Sequence, residues 1–177
     1  MASLSSSFVV IFMSILLQFL IVSASRKHID DICQHVTDKA FCVKTLTAYP
    51  PVVAATVELK AVKAVLNLAK SYAKKSMKFS LKMANKNPKL KKQFMECQDS
   101  FQRIVLSFAS AAGELNESSE TANYDVMVCT DQTRLVEDSI GKNRDEASKA
   151  IMSRTMMMNG LIAIADAATD LIDTGYV

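Results

Sequence analysis

The apolar positions of this chain recur every three to four residues, and no run alternates with the period of two that a half-buried strand requires. Interruptions are few: four glycines and three prolines in 177 residues. The spacing predicts an all-α protein. Ile29 to Ala48 read as two short helices, with Thr37 as the N-cap of the second and Asp38 in its first turn, and Pro50-Pro51 ends the pair. A long helix is predicted from about Val53 to Ala84, stopped by Asn85 to Pro88, where Asn87 caps the next helix and Pro88 takes its first position. That helix runs through Cys97 to about Ala112, and a turn follows at Gly113 and Asn116 to Ser119. A fifth helix spans about Thr121 to Ile140 and ends at Gly141. Asn143 and Glu146 supply the N-cap and capping-box partner of a last helix carrying Ile151, Met152, Met156, Leu161, Ile164 and Leu171. Four long amphipathic helices with short turns make an up-down four-helix bundle, here preceded by an N-terminal helical hairpin. Met156, Met157 and Met158 read as core filling with one methionine at the surface.

The opening segment differs from the rest. Met1 to Ala24 contain no charged residue, Phe8 to Val22 are almost wholly apolar, and small residues stand at Val22-Ser23-Ala24. This pattern predicts a secretory signal peptide over 1–24, the apolar run being shorter than the roughly 20 residues that a membrane span needs. The mature chain, 25–177, is then one domain without a membrane span. All 21 basic and 18 acidic residues fall in it, and the mild net +3 does not call for nucleic acid. Cys33, Cys42, Cys97 and Cys129 are an even set in an exported chain, which reads as two disulfides with three possible pairings. Their spacing, with only His28 and His35 nearby, is not that of a metal site.

No nucleophile elbow, phosphate loop or zinc-helix motif is present, and neither histidine stands in a motif with an acid, so the chain reads as a non-enzyme without cofactors. The strongest local anomaly is basic: eleven lysines and no acid lie between Lys60 and Lys92. Lys70, Lys74, Lys78, Lys82 and Lys86 recur every four residues and share one drifting helix face. Such a face can be simply a solvated side of a bundle helix, but no glutamate relieves the repulsion here, and the polyanion such a face would take is an acidic polysaccharide or an anionic membrane surface. Asn116-Glu117-Ser118 is a glycosylation sequon in a predicted turn, making Asn116 a candidate acceptor.

The cysteine segments carry a resemblance. Cys33 through Cys42, in ICQHVTDKAFC followed by Val43-Lys44-Thr45-Leu46, resembles the opening of the plant invertase and pectin methylesterase inhibitor family. Asn87 to Lys92 with Glu96-Cys97 is similar to the family's approach to its third cysteine, and Cys129-Thr130-Asp131 to its fourth. The resemblance implies the hairpin-plus-bundle fold, a Cys33–Cys42 bridge in the hairpin and a Cys97–Cys129 bridge across the bundle. The midpoint of the second pair is Gly113, which agrees with a helical hairpin turning there, whereas a turn centred on Asn116 to Ser119 would put the register off by a few residues, at about 1.5 Å each. The implied function is a non-catalytic inhibitor that binds a cell-wall carbohydrate enzyme one-to-one over its active-site cleft. The implied place is the apoplast, or the vacuole for an invertase target.

Two departures separate the targets. The Pro-Lys-Phe motif of invertase inhibitors, found between the third and fourth cysteines, has no counterpart, since no proline lies between Cys97 and Cys129. Asp99 and Asp131, each two residues past a cysteine, match the esterase inhibitors, whereas Val128 replaces their threonine and the segment before Cys129 reads about two turns short. Asp99, Asp131 and Val128 are therefore the expected partner-binding residues, with pectin methylesterase the first target and invertase the alternative. A basic wall-polysaccharide-binding protein that inhibits nothing is the reading from another class.

Overall fold

The computed structural model describes residues 27–174, and the signal-peptide reading of 1–24 lies outside the described residues. The fold is all-α. Residues 27–33 form α1, followed by α2 (Lys39–Thr47), α3 (Pro50–Val53), α4 (Glu58–Lys86), a 3-10 turn at Pro88–Leu90, α5 (Lys91–Glu114), α6 (Ser119–Met127), α7 (Cys129–Ile140) and α8 (Glu146–Thr174). No strand occurs among the described residues.

The long helices close a ring. α4 packs on α5, α5 on α6 and α7, both of these on α8, and α8 returns to α4. α6 and α7 together fill the place of one bundle helix, broken only at Val128, and lie diagonally across from α4. Side-chain size decides how closely the first pair packs. α5 buries Phe94, Phe101 and Phe108 at seven-residue intervals, while α4 offers Ala61, Ala64, Ala69, Ala73, Ser76, Ser80 and Ala84. Large against small lets the side chains interdigitate at interior density. α8 is long and apolar enough by composition to cross a membrane. Here its Ile151, Met158, Leu161, Ile164 and Ala168 are buried in the bundle core.

The hairpin α1–α2 is held by the Cys33–Cys42 disulfide. It docks on α8 through Phe41, whose ring lies where a Cβ on Gly160 would stand, only 2.5 Å from Cε1. Glycine is required at 160 by that approach. Pro50 and Pro51 end the hairpin and also open α3, as first-turn prolines can.

The caps depart from expectation by one or two residues. Asp38, not Thr37, caps α2, its Oδ1 accepting from the Phe41 N–H at 2.9 Å. Asn87 serves the helix before it, its Nδ2 donating to the Met83 carbonyl at 2.8 Å. Asp145, not Asn143, caps α8 by accepting from the Ser148 N–H at 2.9 Å and the Ser148 hydroxyl at 2.6 Å. Burial alone would raise the Asp145 carboxyl, but these bonds from Ser148 outweigh it and hold the group below its ordinary value. Of the methionine triplet, Met158 is in the core while both Met156 and Met157 are exposed.

The register of the helices differs most from expectation. α5 does not stop at Gly113 but continues to Glu114, and the turn occupies 115–118. Ser118 then caps α6, its hydroxyl accepting from the Thr121 N–H at 3.2 Å. Cross-helix contacts agree on a centre near 118. Asn143 Nδ2 donates to Gln93 Oε1 at 2.9 Å, and Ser139 Oγ to Glu96 Oε2 at 3.0 Å. Cys97 meets Ser139, and Cys129 meets Ser107. Cys129 therefore stands ten residues short of the position facing Cys97, about 15 Å along the helix axis. A disulfide needs Cα atoms within about 7 Å. The expected Cys97–Cys129 bridge is absent, and both residues are buried free thiols. The segment between the turn and Cys129 is indeed the short part, while the α6–α7 arm as a whole continues past Cys129 to Ile140.

Candidate inhibitory surface

The break at Val128 opens a groove. Tyr124, Met127, Val128, Thr130, Asp131 and Arg134 line one side, and Asn159, Ile162, Ala163 and Asp166 of α8 line the other, around about 580 Å³. Val128, at the junction of α6 and α7, keeps right-handed helical dihedrals (φ −63°, ψ −16°). Two of the residues singled out in the sequence, Val128 and Asp131, belong to this groove.

Each end of the groove is fixed by hydrogen bonds. At one end Asn123 ties α6 to α8, its Nδ2 lying 2.9 Å from Thr169 Oγ1 and 2.8 Å from Asp170 Oδ1. At the other, Asn159 Nδ2 donates to Glu137 Oε1 at 3.0 Å, tying α8 to α7. Burial, and then the neighbouring Asp170 carboxylate, push the Asp166 carboxyl above its ordinary value, against the pull of its hydrogen bond from Asn123. On the rim, Asp131 pairs with Arg134 at 3.3 Å, both side chains open to solvent. Such a pair contributes little to stability and is free to exchange partners.

Above the groove stand two large apolar side chains with no cover. Tyr124 is 64% exposed and Met127 55%. Aromatic and methionine side chains are those enriched at the centre of protein interfaces. Sequence reasoning passed over Tyr124, Met127, Asn159 and Asp166. The signal available was an aromatic and a methionine three residues apart at a helix position that the buried set Ala122, Val126 and Cys129 leaves facing outward.

Asp99 is placed elsewhere. It is exposed on α5, and the register sets it six residues, about 9 Å, off the level of Asp131. The bridge that would have held the two carboxylates together does not exist. A larger hollow of about 980 Å³ lies at the far end of the bundle, between Val57 to Leu59, the 115–118 turn with the first residues of α6, Leu171 and Ile172. Asn116 is exposed beside it in the turn, where its Oδ1 accepts from Lys63 Nζ at 3.0 Å. No group of three His, Cys, Asp or Glu side chains that could hold a metal ion occurs among the described residues.

The four-helix arrangement has solved counterparts. A mutant form of a pectin methylesterase inhibitor from Arabidopsis superposes with a TM-score of 0.70 at 17% identity, covering 81% of this chain and 95% of that one. A pectin methylesterase inhibitor from Arabidopsis thaliana gives a TM-score of 0.59 at 17% identity, covering 82% and 96%. At this identity the likeness is one of fold. No curated protein matches the sequence. The family model described as plant invertase/pectin methylesterase inhibitor matches residues 27–167, which takes in the hairpin, the full α6–α7 arm and most of α8. The chain belongs to the plant invertase/pectin methylesterase inhibitor family.

Proposed function

We propose that this protein is an exported, non-catalytic inhibitor of pectin methylesterase that covers the enzyme's active-site cleft in a one-to-one complex, docking through the groove at the α6–α7 break. The observation that carries the reading is that groove: an exposed aromatic and methionine above a rim of exchangeable charge, in a chain of an inhibitor family. Hydrogen bonds at both ends hold the surface rigid before docking, so little conformational entropy is lost on binding. Pectin methylesterase is preferred over invertase because no proline lies between Cys97 and Cys129 to form the invertase-type motif, and because Asp131 sits on the groove rim. Asp99, outside the groove, joins the interface only if the enzyme reaches across α5.

Substitutions test this directly. Tyr124→Ala truncates a largely exposed side chain and is expected to leave the helical spectrum unchanged while weakening inhibition at least tenfold, about 1.4 kcal/mol, within the range of an interface hot spot. Asp131→Ala is expected to weaken inhibition and Asp99→Ala to do so less. Unchanged inhibition by the combined Tyr124→Ala, Asp131→Ala variant places the docking surface on another face.

A further inference from the structure

The lysine face of α4 is not used by the groove. Lys74, Lys78, Lys82 and Lys86 are exposed and Lys70 is half-buried. None of the five forms an ion pair within the limits of a salt bridge among the described residues, where the pairs are Arg134–Asp131 and Lys149–Glu146. Steps of four residues advance about 6 Å and turn about 40° around the helix, so the four exposed lysines from Lys74 to Lys86 climb about 18 Å while winding about 120° around α4. It continues past the end of α4 into the exposed Lys89, Lys91 and Lys92. The Asn143–Gln93 hydrogen bond brings the α7–α8 turn, with exposed Lys142 and Arg144, to the same end of the bundle. Of the acids towards that end, Glu96 accepts from Ser139, Asp145 accepts from Ser148 and Glu146 pairs with Lys149, while Asp99 and Asp138 are exposed and outnumbered by the lysines.

We propose that this stripe binds a linear polycarboxylate, demethylesterified pectin, while the α6–α7 groove stays open on the opposite side of the bundle. A single helix row of cations suits a polymer carrying charge along a line, and each condensed counterion released on contact favours binding. The exposed residues between the lysines are Asn67, Ser71, Leu81 and Asn85, with Tyr72 and Phe79 half-buried, so no aromatic platform is offered to nucleic-acid bases. One exposed leucine is too little apolar surface to enter a lipid headgroup layer. Because α4 is diagonal to α6 and α7, the polymer and a docked enzyme occupy different faces. The choice of pectin among polycarboxylates rests on the function proposed above, and it would concentrate the inhibitor where de-esterified product accumulates.

The test is retention of the purified protein on immobilised polygalacturonate, with highly methylesterified pectin and anionic phospholipid vesicles as comparison arms. Wild type is expected to bind polygalacturonate at low salt, to be released steeply as salt rises, and to bind the methylester at least tenfold more weakly. The variant Lys74→Glu, Lys78→Glu, Lys82→Glu is expected to bind at least tenfold more weakly with its helical spectrum intact. A variant of equal charge change elsewhere, Lys39→Glu, Lys44→Glu, Arg103→Glu, is expected to retain most binding. Equal losses in the two variants, no loss in the first, or tighter binding to vesicles than to polygalacturonate overturns the proposal. The assay contains no esterase, so failure to inhibit leaves it standing, and loss of retention leaves inhibition untouched.

Discussion

Cys97 and Cys129 show how a single residue can mislead when its partner is set by distant geometry. An even cysteine count and a midpoint on a glycine made a cross-bundle bridge the natural reading. A helix does not have to end at a glycine, whose cost relative to alanine is only about 1 kcal/mol. Ile104, Phe108, Ala111 and Leu115 are all buried and continue one apolar stripe across Gly113, and their burial outweighs that cost. The turn therefore falls at 115–118, and each thiol is left facing a serine. Burial, and then the Glu96 carboxylate, push the Cys97 thiol up to about 12. Burial likewise pushes Cys129 up to about 12, with Asp125 adding to it. At neutral pH both are protonated and unreactive. A maleimide is thus expected to label neither thiol in the native protein and two thiols in denaturant without reductant. Ser139→Cys, which places a thiol opposite Cys97, is expected to leave a single reactive thiol in denaturant after mild oxidation. Finding no thiol in denatured wild type, or three in the oxidised variant, contradicts the register. The caps were legible as residue types, but Thr37 beside Asp38 and Asn143 beside Asp145 offer two oxygens for one N–H. Only the three-dimensional path of the chain selects between them.

At the scale of elements, the existence of four long helices and a hairpin could be read from spacing alone, because a 3.6-residue stripe survives small errors at its ends. The division of one arm into α6 and α7 could not, since Val128 is helical in its dihedrals. The junction lines the groove against α8, tied at one end by Asn123 with Thr169 and Asp170. Asp166 beside this clamp has its carboxyl raised first by burial and then by Asp170. A raised acid binds its proton more tightly in the folded chain than in the unfolded one. Its effect on stability is most favourable below the ordinary aspartate range, and is lost as pH rises from there through the folded value. Asp166→Asn, neutral at all pH, is expected to unfold at a higher denaturant midpoint than wild type at neutral pH, with the difference shrinking as the solution is made acidic. A variant less stable at neutral pH than at acidic pH, relative to wild type, contradicts this account of the clamp.

The whole molecule presents two surfaces of different chemistry on opposite sides of one bundle: a lysine row on α4 and an apolar, charge-rimmed groove where α6 and α7 meet α8. The first was plain in the sequence, because a charge stripe is local to one helix. The second was half visible: Val128 and Asp131 were picked out, but Asn159, Ile162 and Asp166 come from α8 and meet them only through the fold. The Cys33–Cys42 bridge holds the hairpin closed, worth about 2.7 kcal/mol for its 10-residue loop in the chain-entropy model. With no second bridge, the bundle depends on its core and on the Asn123 and Asn159 ties to present the groove. On the function proposed above, this surface stops a pectin methylesterase. The most direct measurement is to titrate the purified protein into a plant pectin methylesterase and, in parallel, into an invertase, following residual activity against molar ratio. Esterase activity is expected to fall to near zero at a ratio of about one, with the invertase unaffected. Full esterase activity at a large molar excess, or loss of invertase activity instead, contradicts the proposed function.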